Sequence, residues 1–412
     1  MRSGRLLRFA GSLGGSVLLL AGSLVIAPGV AASGMTLYVS LNGVAGGADT
    51  SCATAAYSKI NDAVGAASAG DTVVVCTGTY NEGVAVAKAL TLTASGAVTI
   101  VATGLDNGVK ITASNVTVSG FTVENATGEG ILAQQPNPAT GPLVQGTQFY
   151  TGLPLTHVVI TRNVVQNNDL GTPTSSYLEC KPQGQVPGDC GEGIHLMSVA
   201  LSSVLLNTVT GNSGGILITD EFGPTYGNLI AGNVVTDNAT FCGITLASHN
   251  LALNPQTHAF MPSFGGVYNN VVRNNIVLDN GLKGVGSGIG IFAAFPGAAD
   301  YNNLVQGNTV ADSGMAGVTL HGHGPGAYVG GNRILDNLIG PNNLDGDPDT
   351  TPADNATTGI LVWSAATPIT ITISGNTIFG NWYGIWLGHV VSAPGASAHN
   401  TFWAISTHVH KA

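Results

Sequence analysis

The sequence predicts an all-β chain folded as a right-handed parallel β-helix, a solenoid of stacked coils closed by a short N-terminal capping helix. Three observations predict it. Gly supplies 59 of 412 residues and charged residues only 8%, with Val, Ile, Thr and Asn recurring throughout and no long helical periodicity, a composition typical of all-β repeat chains. An Asn-x-Val-x-x-Asn phrase returns from Asn163, Asn207, Asn233, Asn275, Asn308, Asn332 and Asn376, with its second Asn at 168, 212, 238, 280, 337 and 381 and Ser313 standing in once. A Gly-Ile-x-Leu phrase or close variant interleaves with it from Gly193, Gly215, Gly243, Gly288, Gly317, Gly359 and Gly384.

The chain begins with Arg2, Arg5 and Arg8, an apolar run ending near Ile26, and the small residues Val30, Ala31 and Ala32. That is the pattern of a secretory signal peptide over 1–32, cut after Ala32, with Gly11, Gly14, Gly15 and Gly22 interrupting the run as they would not in a membrane anchor. Loss of the leader leaves 9 basic against 22 acidic residues, a net charge of −13. Such a surface disfavours nucleic acid and anionic membranes as partners, and favours a neutral glycan over a polyanionic one. A secreted or extracytoplasmic monomer with no membrane span after cleavage is expected.

Residues 33–70 are expected to form a first strand and the cap. Ile60, Ala63, Val64 and Ala67 recur at helical spacing within Tyr57 to Ala67, and Gly70-Asp71 leads into a strand from Thr72 to Cys76. A short amphipathic helix there would cover the open end of the solenoid. Of five cysteines in an exported chain, Cys52 with Cys76 and Cys180 with Cys190 are the favoured disulfides because each closes a local loop, and Cys242 is expected as a buried thiol.

The coils are expected to fill residues 71–390. Successive Gly-Ile phrases lie 22, 28, 45, 29, 42 and 25 residues apart, which makes the unit about two dozen residues with loops inserted into some copies. Short alternating segments such as Ile194 and Leu196 bury an apolar face only when coils stack at the parallel-strand separation of ~4.8 Å. Asn at equivalent turns can then hydrogen-bond along the stack. The fixed spacing and helical returns of leucine-rich repeats are missing, and the uneven intervals do not give propeller blades. Residues 391–412 are expected as a tail or terminal cap.

Ala69-Gly70-Asp71-Thr72-Val73-Val74-Val75, Gly78-Thr79-Tyr80 and the later Asn/Gly-Ile coils resemble the pectate-lyase-like superfamily, closest to exported bacterial members grouped with nitrous oxide reductase accessory proteins and alginate-epimerase-like repeats. The resemblance spans nearly all of residues 36 to 390 and implies the fold. It leaves the activity open, because that superfamily includes lyases, hydrolases, epimerases and adhesins. His321-Gly322-His323-Gly324 contains the Gly-His-Gly phrase of polygalacturonases. The paired aspartates and Arg-x-Lys phrase of those enzymes, the Asp-Pro-His of alginate epimerases and the calcium-binding carboxylates of pectate lyases are missing.

With Gly-Ile phrases in register, the second and fourth residues after Gly point out of the coil. The second gives His195, Leu217, Thr245, Gly290, Thr319, Leu361 and Trp386, and the fourth gives Met197, Thr219, Ala247, Phe292, His321, Trp363 and Gly388. Insertions at 133–156, 168–192, 247–266, 281–287 and 337–358 would flank this face as a groove. Asp220, Glu221, His249 and His321 are the candidate catalytic residues, the carboxylates one coil from His249 and raising its pKa. His195, Phe292, His323, Trp363 and Trp386 are the candidates for holding a sugar. The expected function is glycan binding or polysaccharide elimination, epimerisation or hydrolysis, with no cofactor. The alternative is a non-enzymatic structural or accessory protein that binds a partner or a metal, the metal through His408 and His410 with His321 and His323. Asp345, Asp347 and Asp349 alternate in a loop as calcium ligands can, but without the Gly and final Glu of an EF-hand loop they read as solvated acids.

Overall fold

The computed structural model describes residues 34–136, 153–169, 191–249, 265–283, 286–342 and 357–412. The leader at 1–32, the Cys180–Cys190 pairing and the Asp345, Asp347 and Asp349 loop lie outside them. No helix among the described residues is long and apolar enough to cross a membrane.

Parallel strands stack coil upon coil as a right-handed parallel β-helix. One wall is an eleven-stranded sheet that begins at Val84–Val86 and ends at Thr407–Lys411, each strand pairing in parallel with its counterpart in the next coil. The Gly-Ile phrases form its middle: Ile194 pairs with Ile216, Ile216 with Ile244, Ile244 with Ile289, Ile289 with Val318 and Val318 with Ile360. All six are fully buried in one continuous apolar core. The glycine of the phrase is required by space: a Cβ at Gly193 would lie 2.3 Å from Val209 Cγ1 on the opposite wall.

The other walls are short strands such as Ser203–Leu205 and Thr208–Thr210, which belong to one nineteen-stranded sheet bent at each coil's corner. At the corner a buried Asn follows a residue with left-handed backbone, for example Asn207 after Leu206 at φ 56° and Asn233 after Gly232 at φ 66°. Gly, Asn and Asp tolerate that conformation best, which explains their recurrence before the ladder. The side-chain oxygen of Asn233 accepts from the Asn207 backbone N–H at 2.9 Å and side-chain amide at 3.0 Å, and the same Asn207 amide donates to the Ile160 carbonyl at 3.0 Å. Backbone corners that would otherwise be orphaned are thus satisfied.

Among the described residues there are three such columns where two were expected. Ser202, Asn228, Asn270, Asn303 and Asn332 form the one not anticipated. Asn332 therefore does not open the phrase: Asn337 aligns with Asn308, and Asn342 aligns with Ser313. The columns are five residues apart along the chain, so Asn332, Asn337 and Asn342 fit the phrase in two registers, and only the hydrogen bonds choose.

The helix Ile60–Ala66 covers the first coils with Ile60, Ala63 and Val64 buried. Glu82 accepts the N–H groups of Ile60 and Asn61 at 2.8 and 3.1 Å, while Lys88 donates to the carbonyls of Gly65 and Ala67 at 2.6 and 2.7 Å. An acid at the helix start and a base at its end satisfy free backbone groups and oppose the helix dipole. Cys52 and Cys76 form a disulfide, and Cys242 is a buried thiol. Residues 391–412 supply a last coil, with Thr401–Trp403 and Thr407–Lys411 pairing onto the strands before them.

Candidate functional site

The outward positions of the Gly-Ile sheet stack as the phrase register requires. His195, Leu217, Thr245, Gly290, Thr319, Leu361 and Trp386 follow one another rung by rung. Met197, Thr219, Ala247, Phe292, His321 and Trp363 form the neighbouring column. Many of these side chains leave the apolar core yet stay buried, in clusters of their own such as Leu132, Met197 and Phe222.

Asp220 and Glu221 follow the strand Gly214–Thr219, and His249 follows Ile244–Ser248 one coil on. The carboxylate of Glu221 lies 3.1 Å from His249 Nδ1. Asp220 plays a different part. It accepts the backbone N–H of His249 at 2.7 Å, the hydroxyl of Ser248 at 3.0 Å and the backbone N–H of Gly266. These bonds fix the strand end that carries His249 and leave the ring untouched.

Burial divides the acids of this wall. It raises Asp220 to about 6, partly offset by the N–H groups of Gly266 and His249. Asp300, fully buried on the next short sheet, is raised well above the ordinary 3.8 by burial and then by the charge of Asp220. Burial also pushes Glu221 upward, but the hydrogen bond and charge of His249, the charge of His195 and the Thr219 hydroxyl together hold it below 4.5. Glu221 is therefore the ionised acid and Asp300 the protonated one at mildly acidic pH.

Deeper along the same wall, His195 Nδ1 lies 3.1 Å from Glu129 and Nε2 lies 2.8 Å from the Thr219 hydroxyl. Glu129 also accepts the backbone N–H of Glu192 at 3.0 Å. Glu129, His195 and Thr219 thus form one hydrogen-bonded set on this wall, and Glu221 with His249 forms a second. Beside the first, burial raises Asp169 to about 7, the Ser213 hydrogen bond opposing and the Glu129 charge adding to the shift.

His321 does not join this cluster. Two strand steps separate its column position from Ala247, and three from Thr219, which at ~4.8 Å per step is about 10 and 14 Å. Its neighbours are aromatic: Phe292, His323 and Trp363 have ring centroids 5.6, 5.3 and 5.9 Å away. Phe292 and Trp363 are half-buried and His323 is exposed. His195 and Trp386 are corrections to the expected surface. His195 is fully buried among its polar partners, and Trp386 is 5% exposed against Ala316 and Leu361.

The four histidines of the metal alternative also fail to meet. His410 is on the strand three steps beyond that of His321 and lies beside Tyr383, while His408 stacks on Phe402. Glu129, Glu192 and Asp300 are not among the residues the sequence points to, and Thr219 is there only as an outward position. The signal for the first two was present: each stands directly before a Gly-Ile pair, Gly130-Ile131 and Gly193-Ile194.

The class of protein is thus a right-handed parallel β-helix with an acid and histidine layer outside one wall of its core. The chain is similar to the mannuronan C-5 epimerase AlgE4 A-module of Azotobacter vinelandii, at 14% identity over 85% of this chain and 93% of that one, with TM-score 0.48. It is similar also to an alginate lyase of a Paenibacillus species, at 12% identity over 91% and 99% with TM-score 0.42. The Dettilon tailspike protein matches at 14% identity and TM-score 0.45, over 82% of this chain and 62% of the tailspike. No protein-family model and no curated protein matches the chain.

Proposed function

We propose that the protein is an extracytoplasmic carbohydrate-active enzyme that lays a neutral glycan chain along the Gly-Ile wall and uses His249 for proton transfer. The observation that carries this reading is the His249–Glu221 pair: a histidine at a strand end whose side chain keeps 7% exposure, its ring held at 3.1 Å by a carboxylate that stays ionised. Such a carboxylate fixes the ring's orientation and favours its protonated form, which suits a general acid or base. Glu221 and Asp220 are positioning residues, the first for the ring and the second for the strand end. The wall repeats at the strand separation over eleven strands, the geometry solenoids offer to extended polymers. Phe292 and Trp363, half-buried around His321 and His323, supply flat apolar faces of the kind that pack on sugar rings. The Cys52–Cys76 disulfide fits an oxidising compartment.

The test is a panel of neutral and acidic polysaccharides assayed for reducing ends, unsaturated products and epimerised residues. His249→Gln is expected to abolish turnover with its circular dichroism spectrum unchanged, and Trp363→Ala to weaken binding of the same substrate. Full turnover by His249→Gln rejects the assignment, and binding without product by the wild type makes the protein a glycan-binding module.

A further inference from the structure

The rings around His321 belong to the Gly-Ile wall, but the most exposed tryptophans stand elsewhere. All four tryptophans of the chain lie between residues 363 and 403, and no Asp or Glu follows Asp354 although the chain holds 22 of them. Trp382 is 54% exposed and Trp403 68%. Single apolar residues at a surface are ordinary, but a contiguous group that includes a large aromatic marks a binding surface. We infer that Trp403, with Phe379 and Leu338, forms a second glycan-docking patch, on the nineteen-stranded sheet, that takes a neutral polysaccharide of flat, extended chains.

The strands Leu338–Ile339, Thr377–Phe379 and Thr401–Trp403 stack in parallel, with Leu338 beside Thr377 and Thr377 beside Thr401. Ile339 and Ile378 are fully buried in the core, so Leu338, Thr377, Phe379, Thr401 and Trp403 face outward. Phe379 and Trp403 share a column, their ring centroids 5.9 Å apart and their planes tilted by 45°. One coil earlier the chain has Gly340, where a Cβ would stand 3.2 Å from Phe379 Cζ. That glycine leaves room for the Phe379 ring against the wall, and Leu338 is 42% exposed beside it. Aromatic rings of this kind pack on the C–H faces of pyranose rings, while the hydroxyls of Thr377 and Thr401 can donate to and accept from sugar hydroxyls.

Charge selects the ligand. The corner residue that follows this column is Asp237, Asp279 and Asp312 in three successive coils, and Pro341, Gly380 and Ala404 in the next three. Negative charge leaves this edge of the wall where Phe379 and Trp403 enter it. The three strands of the patch hold no charged residue. A polyanion running along the wall would meet the aspartates, whereas a neutral chain finds no charge at the patch to strip of water.

The experiment mixes the full-length chain with insoluble cellulose, chitin or mannan and measures the fraction that pellets. It is run on Trp363→Ala, which weakens the Gly-Ile wall, so that docking is read apart from the proposed reaction. That variant is expected to pellet with at least one of the three. Adding Trp403→Ala should weaken its binding about tenfold or more, with Phe379→Ala acting in the same direction and Trp403→Phe restoring most of the affinity. Because Trp403 is exposed, its removal should leave the melting temperature unchanged, which separates lost docking from lost folding. Docking by a chain that turns over no glycan supports the patch and removes only the proposed reaction. Turnover without docking, equal binding before and after Trp403→Ala, or a dimer in sedimentation velocity that Trp403→Ala dissolves without any glycan binding would overturn the patch.

Discussion

Two neighbouring acids serve His249 through different atoms, and that difference predicts different failures. Glu221 meets the ring, so Glu221→Gln keeps a hydrogen-bonding group in place but removes the negative charge that favours the imidazolium. The His249 titration followed by NMR is expected to move to lower pH, and a midpoint unchanged from wild type would remove Glu221 from the role given to it. This pair was legible because both residues sit at a fixed offset from a Gly-Ile phrase, and register alone brings them together. What register does not convey is depth. His195 and Trp386 occupy outward positions as their spacing requires, yet both are buried, because a position's direction says nothing about what lies over it. Glu129 escaped notice for another reason: its coil carries the Gly-Ile pair without the Asn phrase used to find the repeat.

The coil corner is the element on which every other placement rests. Asn275 takes the N–H and side-chain amide of Asn233 on its oxygen at 2.9 and 3.0 Å, and its own amide donates to the Ile230 carbonyl at 3.0 Å. Asn275→Ala leaves these buried groups without their partner, at about 1–3 kcal/mol each for those that stay unsatisfied. A loss of several kcal/mol in urea unfolding is expected, against a smaller loss for Asn400→Ala at the part-buried end of the column. Equal losses would mean that the ladder is not what burial makes costly. The residue before the ladder gives the opposite sign. Leu206 holds φ 56° and is 54% exposed, a conformation costing an ordinary residue roughly 1–2 kcal/mol. Leu206→Asn, the residue type found at many equivalent corners, is expected to raise the melting temperature, and a lowered one would show that the leucine's packing outweighs its backbone strain. The five-residue spacing of the columns also marks the limit of sequence reading here: it made the coil evident and its register at Asn332 ambiguous.

At the scale of the whole molecule, the buried acids set the pH at which the solenoid is most stable. Asp220 rises from 3.8 to about 6 on folding, and Asp300 rises well above 3.8. The folded chain holds these protons more tightly than the unfolded chain, so stability falls as pH climbs from 3.8 through the folded values. Glu221 acts the other way. Its folded value lies under 4.5, so its contribution is complete above 4.5 and is lost as pH drops through the lower folded value. The two trends place the maximum at or just below about pH 4.5, where Glu221 has reached nearly its full contribution and the aspartates have only begun to lose theirs, and the chain's net charge of −10 adds self-repulsion that grows in the same direction as the loss from the aspartates. Calorimetric melting temperatures from pH 4 to 8 are expected to be highest at the acid end, near pH 4.5 or below, and to decline steadily through neutrality. Asp300→Asn supplies the control, because an amide imitates the protonated carboxyl at every pH and should flatten the alkaline decline without moving the acid one. A melting temperature that climbs steadily to pH 8, or a decline that Asp300→Asn leaves as steep as before, would mean that these carboxyls are hydrated and ionised in the folded chain and that the wall they line is open to water.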